Sequence, residues 1–362
     1  MKIEKDLKKW YLELFNKPKE WDYYKQKPVN PIESKYFKSF IDNYINASDK
    51  SDGNPFVEPL EIIEGEEHVF SVFFLGIILY ENCDAIKKEI DKKVNSYQKK
   101  NKFNVTFNYM WFIIALFHDT GKKLEEDNKY KHLEFFKQDF GIENKLKSPV
   151  GIPKQIKENW IRYFYYRLNY MPGSNHKKPD HGILGGMHLY DKLCKTYKHI
   201  QGVGEKINDG EYKYNELIWT EKGLNIFNLC SWVILAHNIY YLREDVDEDI
   251  EIDLYKCSGL DSLILERIQP SVTNLKQHPF LFLLCLVDTI EPSKQYENKD
   301  LLFSLDKIKM EVEHNKIHLK FKKPYIENRF KNICTMNNWL RIKTNHKIKE
   351  LEATVELTIL KK

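Results

Sequence analysis

The chain has 362 residues, with 57 Lys or Arg, 53 Asp or Glu and a net charge of +4. Its length and its 42% apolar content allow a sizeable buried core and argue against a disordered chain. The near-neutral charge gives no support to nucleic-acid binding, and we find neither an apolar run of membrane-spanning length nor a signal peptide. Six cysteines without CxxC spacing are typical of reduced core residues, so we expect a cytoplasmic protein with no membrane partner.

Residues 1–52 carry aromatic and apolar residues at helical spacing, interrupted by Pro28 and Pro31. They predict an N-terminal helical segment packed on the core. The Gly- and Pro-containing loop SDKSDGNPF then marks a boundary. We expect a core domain over residues 53–298 and a small α/β subdomain over residues 299–362.

The pattern of the core is that of apolar helices joined by polar loops. Helical spacing occurs at 66–99, 106–118, 154–170, 180–199, 222–241 and 275–290. The segments 120–153 and 171–180 are predicted loops that decide which substrate enters. The fold class is therefore mainly α, with an all-helical core.

Beyond residue 298 the spacing of apolar residues changes from helical to alternating. KIKMEVEHNKIHLKFKK alternates apolar and charged residues around His314, which predicts a β-hairpin. A helix is expected from Pro324 to about Trp339, and KIKELEATVELTIL predicts a final strand. This appendage could complete a substrate pocket, mediate dimerisation or bind a regulator.

The most informative stretch is ALFHDTGK, in which an apolar run ends in His118 and Asp119. A helix that buries this run would carry both polar groups into the interior, where each needs a partner. A divalent metal would serve both, because imidazole nitrogen and carboxylate oxygen are common ligands. The alternative is a satisfied core histidine beside a helix-ending turn.

Other ligand-type residues recur at the edges of apolar helical segments. They are His68, His181, His237 and Asp288. Packing alone does not explain four such helices, each with one polar residue of this type. A metal centre explains all of them together.

Taken in chain order, these residues resemble the signature of the HD-domain metal-dependent phosphohydrolase superfamily, over roughly residues 60 to 295. They are His68, His118-Asp119, His181, His237 and Asp288. HDTGK and the closing DTIEPSK are more specific than the HD pair alone. The resemblance implies an all-helical catalytic core with one or two divalent ions, of manganese, iron, nickel, cobalt, zinc or magnesium. It implies a first metal bound by His68, His118, Asp119 and Asp288, with Asp119 bridging to a second metal bound by His181 and His237.

The resemblance also implies an enzyme in which metal-activated water attacks phosphorus. Asp119 and Lys122 would be the catalytic residues, and the lysine would offset negative charge in the transition state. Lys122 could instead be a solvated residue paired with Glu125 or Glu126. His188 lies seven residues after His181 and could replace it as the ligand.

The expected function is hydrolysis of a phosphoester or phosphoanhydride in a nucleotide-type substrate. DTIEPSK resembles the last motif of HD hydrolases that cleave dinucleoside tetraphosphates. One alternative is a nuclease like the HD domain of CRISPR effector helicases, and another is a non-catalytic nucleotide-binding sensor. Nucleic acid is the less favoured partner, despite basic clusters such as Lys307 to Lys323, and the sequence is compatible with a homo-oligomer.

Overall fold

The computed structural model describes residues 3–16, 67–101, 105–122, 181–214, 217–238, 273–297 and 301–360. These residues are mostly helical and include two small antiparallel sheets, so the prediction of a mainly α protein is confirmed at that level. The chain divides into two compact units. The first comprises residues 1–23, 63–96 and 265–362, and the second comprises residues 24–62 and 97–264. The boundaries proposed at 52/53 and 298/299 stay predictions.

The helices follow the apolar segments of the sequence. The described ones are α1 Leu7–Asn16, α2 Glu67–Asn82, α3 Asp84–Asn101, α4 Phe107–Phe117, α5 His181–Val203, α6 Glu221–Ala236, α7 Pro279–Ile290, α8 Leu301–Leu305 and α9 Glu327–Cys334, with 3-10 helices at Pro292–Gln295 and Met336–Asn338. The predicted helix at 66–99 is two helices separated at Cys83. The predicted helix at 154–170, the loop SDKSDGNPF, the loop at 171–180 and all but the start of the loop at 120–153 lie outside the described residues. No described helix combines the length and apolar character that a membrane span requires.

The strands are β1 Ile3–Asp6, β2 Glu205–Asn208, β3 Glu211–Tyr214, β4 Leu217–Thr220, β5 Ile308–Val312, β6 Lys316–Lys322, β7 Ile342–Ile348 and β8 Glu352–Ile359. One sheet has the order β1-β5-β6-β8-β7 and the other β2-β3-β4. The predicted hairpin is β5–β6, and the predicted final strand is β8, which forms an unpredicted hairpin with β7 before it. Strands β1 to β4 were not predicted, because four-residue strands are too short for a visible alternation. Since β2 to β4 lie within residues 53–298, the prediction of an all-helical core is wrong.

In the C-terminal sheet, alternate residues face one buried layer. Ile317, Leu319 and Phe321 of β6 are buried, and so are Val355 and Leu357 of β8. We call this the inner face of the sheet, and the opposite, polar side its outer face. Helix α9 lies against the inner face, since the ring of Phe330 contacts that of Phe321 at a centroid distance of 5.6 Å. The period of two therefore follows from one-sided burial.

In the second unit, α4 is buried on every side. Such a helix is apolar all round and forms the centre of a packed layer. Helices α5 and α6 approach each other closely at Gly186, where an added Cβ would lie 2.5 Å from the carbonyl oxygen of Ser231 and 2.8 Å from the Cβ of Leu235. Only glycine fits at this crossing.

The crossing can be tested with two glycines of the same helix. We expect Gly186→Ala to lower the free energy of unfolding by about 1–3 kcal/mol, because backbone cannot yield to the new methyl group. Gly202→Ala is the matched control, since nothing lies within 4 Å of its added Cβ. It should raise stability by up to about 1 kcal/mol through helix propensity. Urea unfolding of both variants measures the difference, and equal effects would contradict the close crossing.

Candidate metal centre

Two histidines of the second unit end helices in the same way. His118 is the C-cap of α4, and its Nδ1 lies 2.8 Å from the carbonyl oxygen of Ala115. His237 is the C-cap of α6, and its Nδ1 lies 2.5 Å from the carbonyl oxygen of Ile234. A carbonyl only accepts, so Nδ1 donates in both rings. Each neutral ring therefore presents the lone pair of Nε2, which is the atom that a metal would take.

Asp119 places its carboxylate between two imidazoles. Its Oδ2 is 3.5 Å from Nε2 of His118, and its Oδ1 is 3.5 Å from Nε2 of His181. The Lys122 ammonium also contacts Oδ2. The alternative partners predicted for Lys122, Glu125 and Glu126, lie outside the described residues. Asp119 thus directs one carboxylate oxygen toward each of the two histidines.

Glycines bring His181 into this arrangement. A Cβ on Gly121 would lie 1.8 Å from the carbonyl oxygen of His181, and one on Gly185 would lie 3.0 Å from the Gly121 nitrogen. The turn after Asp119 therefore touches the first turn of α5 through backbone atoms. The glycine of HDTGK is required by this contact, and the Gly185-Gly186 pair serves two different neighbours.

Asp119, His181 and His237 each offer one ligand atom, and these atoms all lie within 4.8 Å of one another. Ligand atoms around one tetrahedral ion lie about 3.4 Å apart at ordinary bond lengths, so a small contraction would suffice. His181 belongs to this group, while His188 belongs to neither of the described groups that could hold a metal. The Nδ2 of Asn238 lies 2.8 Å from Nε2 of His181 and would have to turn away from a metal there.

The electrostatics of the group favour metal binding. Burial lowers the pKa of His237 to about 4, with His181 and His118 as further causes. The ring is therefore neutral near pH 7, which is the form that binds metal. Its neighbour His181 lies at a ring-centroid distance of 5.2 Å.

A second histidine–carboxylate group lies in the first unit. Nε2 of His68 is 3.3 Å from Oδ1 of Asp288, and the Lys294 ammonium is 2.5 Å from the same oxygen. His68 is the second residue of α2, and Asp288 lies near the end of α7. Both sequence-predicted carboxylates, Asp119 and Asp288, thus contact a lysine ammonium.

Glu291 orients His68 from behind. Its carboxylate is fully buried and lies 3.1 Å from Nδ1 of His68. It also accepts hydrogen bonds from the backbone and hydroxyl of Ser293 and from the backbone of Lys294, at 2.9, 2.6 and 3.1 Å. Burial by itself raises the pKa of Glu291, but the hydrogen bonds and charge of His68, with bonds from Ser293 and Ser71, outweigh it and lower the pKa.

The network continues to the N-terminal helix. The hydroxyl of Tyr11 in α1 donates to the carbonyl oxygen of Ser71 in α2, at 2.9 Å. Since Ser71 also bonds the Glu291 carboxylate, α1 is tied to the support of His68. A buried carboxylate bonded to Nδ1, as Glu291 is to His68, is a common way to orient a histidine that binds metal.

The structure therefore brings the predicted residues together as two His/Asp groups that could hold metal ions. The structure adds Glu291 and Lys294, to which the sequence did not lead us to assign a role. Both residues belong to the motif DTIEPSK, which begins at Asp288. Whether all six predicted ligands form one centre stays a prediction.

Comparison with protein-family models, curated proteins and solved structures finds no match to this chain.

The support of His68 can be tested with Glu291→Gln. Among the described residues, every group that contacts the Glu291 carboxylate can donate, so an amide would turn an N–H toward a donor. We expect binding of Mn²⁺ at the His68 position to weaken by about 10–100-fold, measured by titration calorimetry.

Glu81→Gln is the control for Glu291→Gln, because Glu81 is exposed at the other end of the same helix. It should bind Mn²⁺ as the wild type does. Circular dichroism checks that both variants are folded. Unchanged affinity in folded Glu291→Gln would contradict the role of Glu291.

Proposed function

We propose that the chain is a metal-dependent phosphohydrolase that cleaves a phosphoester or phosphoanhydride in a nucleotide-type substrate. The observation that carries this proposal is the cluster of Asp119, His181 and His237. Within it, the backbone sets the proton of His237 on Nδ1 and leaves Nε2 toward the other ligands. The residue order of the HD-type phosphohydrolases supports the same reading.

We assign His68, His118, Asp119 and Asp288 to a first metal, and Asp119, His181 and His237 to a second. The donor set of imidazoles and carboxylates fits manganese, iron, nickel, cobalt, zinc or magnesium, among which cellular availability often decides. Bound divalent metals would lower the pKa of a water and neutralise charge on a phosphoryl group.

The chain's own residues have separate tasks in this reaction. In His118 and His237 the Nδ1–H bond to a helix-end carbonyl leaves Nε2 as the atom that would bind a metal. Asp119 supplies negative charge between the imidazoles of His118 and His181. Lys122, half exposed beside Asp119, can turn toward a phosphate oxygen and offset charge that grows in the transition state.

Asp119→Asn tests the centre as a whole. We expect it to lose Mn²⁺ binding in calorimetry and to lose hydrolysis, because the neutral amide removes the charge shared by the metal ligands. The substrates are a panel of nucleotides, cyclic dinucleotides, dinucleoside polyphosphates and single-stranded DNA. Asp209→Asn makes the same change at a fully exposed site and should leave both readouts unchanged. A wild type that binds metal but hydrolyses nothing in the panel would instead indicate a sensor.

Lys122→Gln separates charge neutralisation from metal binding. We expect turnover to fall about a hundredfold, as when one transition-state donor is removed. Mn²⁺ affinity should stay equal or rise, because a competing ammonium leaves Asp119. Lys198→Gln, exposed on α5, is the control. A variant that loses metal affinity and turnover together would show that Lys122 only holds Asp119 in place.

A further inference from the structure

Positive charge is concentrated in the C-terminal part of the chain. Residues 301–362 contain fourteen Lys or Arg and seven Asp or Glu, a net charge of +7, whereas the whole chain carries +4. The remaining residues are therefore net acidic. The near-neutral total hides a basic region that the β-strands arrange in space.

Strand register places the lysines in rows across the outer face of the C-terminal sheet. Lys309 lies opposite Lys320, Lys320 opposite Thr354, and Thr354 opposite Lys347. This row crosses four strands, β5, β6, β8 and β7. Neighbouring strands lie about 4.8 Å apart, so the row forms a short ladder of positive charge.

A second row follows at the same end of the sheet. Lys322 lies opposite Glu352, the Lys322 nitrogen donates to the Lys307 carbonyl, and the Lys349 nitrogen donates to the Glu352 carbonyl. We call the two rows together the basic rows. Their eight positions comprise six lysines, one carboxylate and Thr354, and the ammonium of one of the lysines, Lys307, lies over the ring of Phe303.

The one carboxylate does not neutralise this charge. Glu352 is shared, at 2.5 Å from the Lys320 ammonium and 3.7 Å from that of Lys349. Lys309 and Lys320 are directly opposed like charges, an arrangement that destabilises a sheet. The other end of the same face differs, because Glu356 there pairs with Lys316 and lies 3.5 Å from His318.

A groove of about 680 Å³ lies over this face. Its described lining includes Lys309, Lys320 and Lys347, with the carboxylates of Glu311 and Glu356 toward the other end, and contains no Phe, Tyr or Trp. Lysine ammonium groups contact phosphate as point charges, without reading sequence. A groove with three lysines and no Phe, Tyr or Trp suits a phosphate backbone rather than bases.

We propose that the basic rows bind the phosphate backbone of a nucleic acid. The excess of lysines favours a polyanion, and the concave shape of the groove favours a strand over a lipid surface. The exposed apolar side chains of the β7–β8 hairpin, Ile348 and Leu351, lie outside the groove lining. This binding needs no metal and does not depend on the proposed hydrolysis.

Fluorescence anisotropy of labelled single-stranded DNA, RNA and duplex DNA, with the full chain in EDTA, tests the inference. We expect binding by the wild type that weakens steeply with salt and varies little with sequence. Lys309→Gln/Lys347→Gln should weaken it at least several-fold. The slope of log affinity against log salt should become shallower by about 1.4 for a single strand, since each lysine contact contributes about 0.7.

Arg329→Gln/Lys331→Gln is the matched control. It removes the same charge from exposed positions of α9, the helix that packs on the inner face of the sheet. Its affinity and salt slope should stay near those of the wild type. Circular dichroism confirms the fold of both variants.

Three results would overturn the inference: no binding of any nucleic acid by the wild type, equal losses in the two double variants, or binding to anionic phospholipid vesicles instead. Because EDTA removes metal from the assay, failure of the proposed phosphohydrolase does not affect the result. Conversely, loss of nucleic-acid binding leaves the metal and turnover measurements on Asp119→Asn intact.

Discussion

The candidate metal centre of the second unit depends on a place where backbones touch without side chains between them. Gly121 contacts the first turn of α5, and Gly186 contacts α6, in both cases at distances that exclude a Cβ. These two contacts bring Asp119, His181 and His237 within reach of one ion. Packing of ordinary side chains would hold the same elements several ångströms further apart, and the ligand atoms could not converge.

Helix termination and ligand orientation are the same interaction in this protein. The last carbonyls of α4 and α6 lack partners within their helices. His118 and His237 donate Nδ1–H to such carbonyls, and that bond leaves the lone pair of Nε2 for a metal. In the first unit a buried carboxylate, Glu291, takes the corresponding part for His68. Two different acceptors, carbonyl and carboxylate, therefore lead to the same ring orientation.

The C-terminal sheet divides its two tasks between its faces. Apolar residues of β6 and β8 form the inner face with α9, which stabilises the fold. The outer face is free to carry charge, and strand register converts scattered lysines into the basic rows. A phosphate-binding face and a phosphate-cleaving centre would suit one type of substrate, although each rests on its own observations.

The amino-acid sequence was enough to predict the apolar helices, the β5–β6 hairpin and the ligand-type residues, because periodicity and residue chemistry are local properties. It also contained DTIEPSK, yet it did not show that Glu291 is buried against His68, since that contact joins residues 223 positions apart. The fold was needed to show that His181 rather than His188 lies beside Asp119, because the choice depends on the backbone contact at Gly121. The pairings of β7 with β8 and of β1 with β5 also needed the fold, because a strand's partner is set by packing and not by its own residues. Where two histidines or several strand partners fit the local sequence equally well, long-range packing determines which one is used.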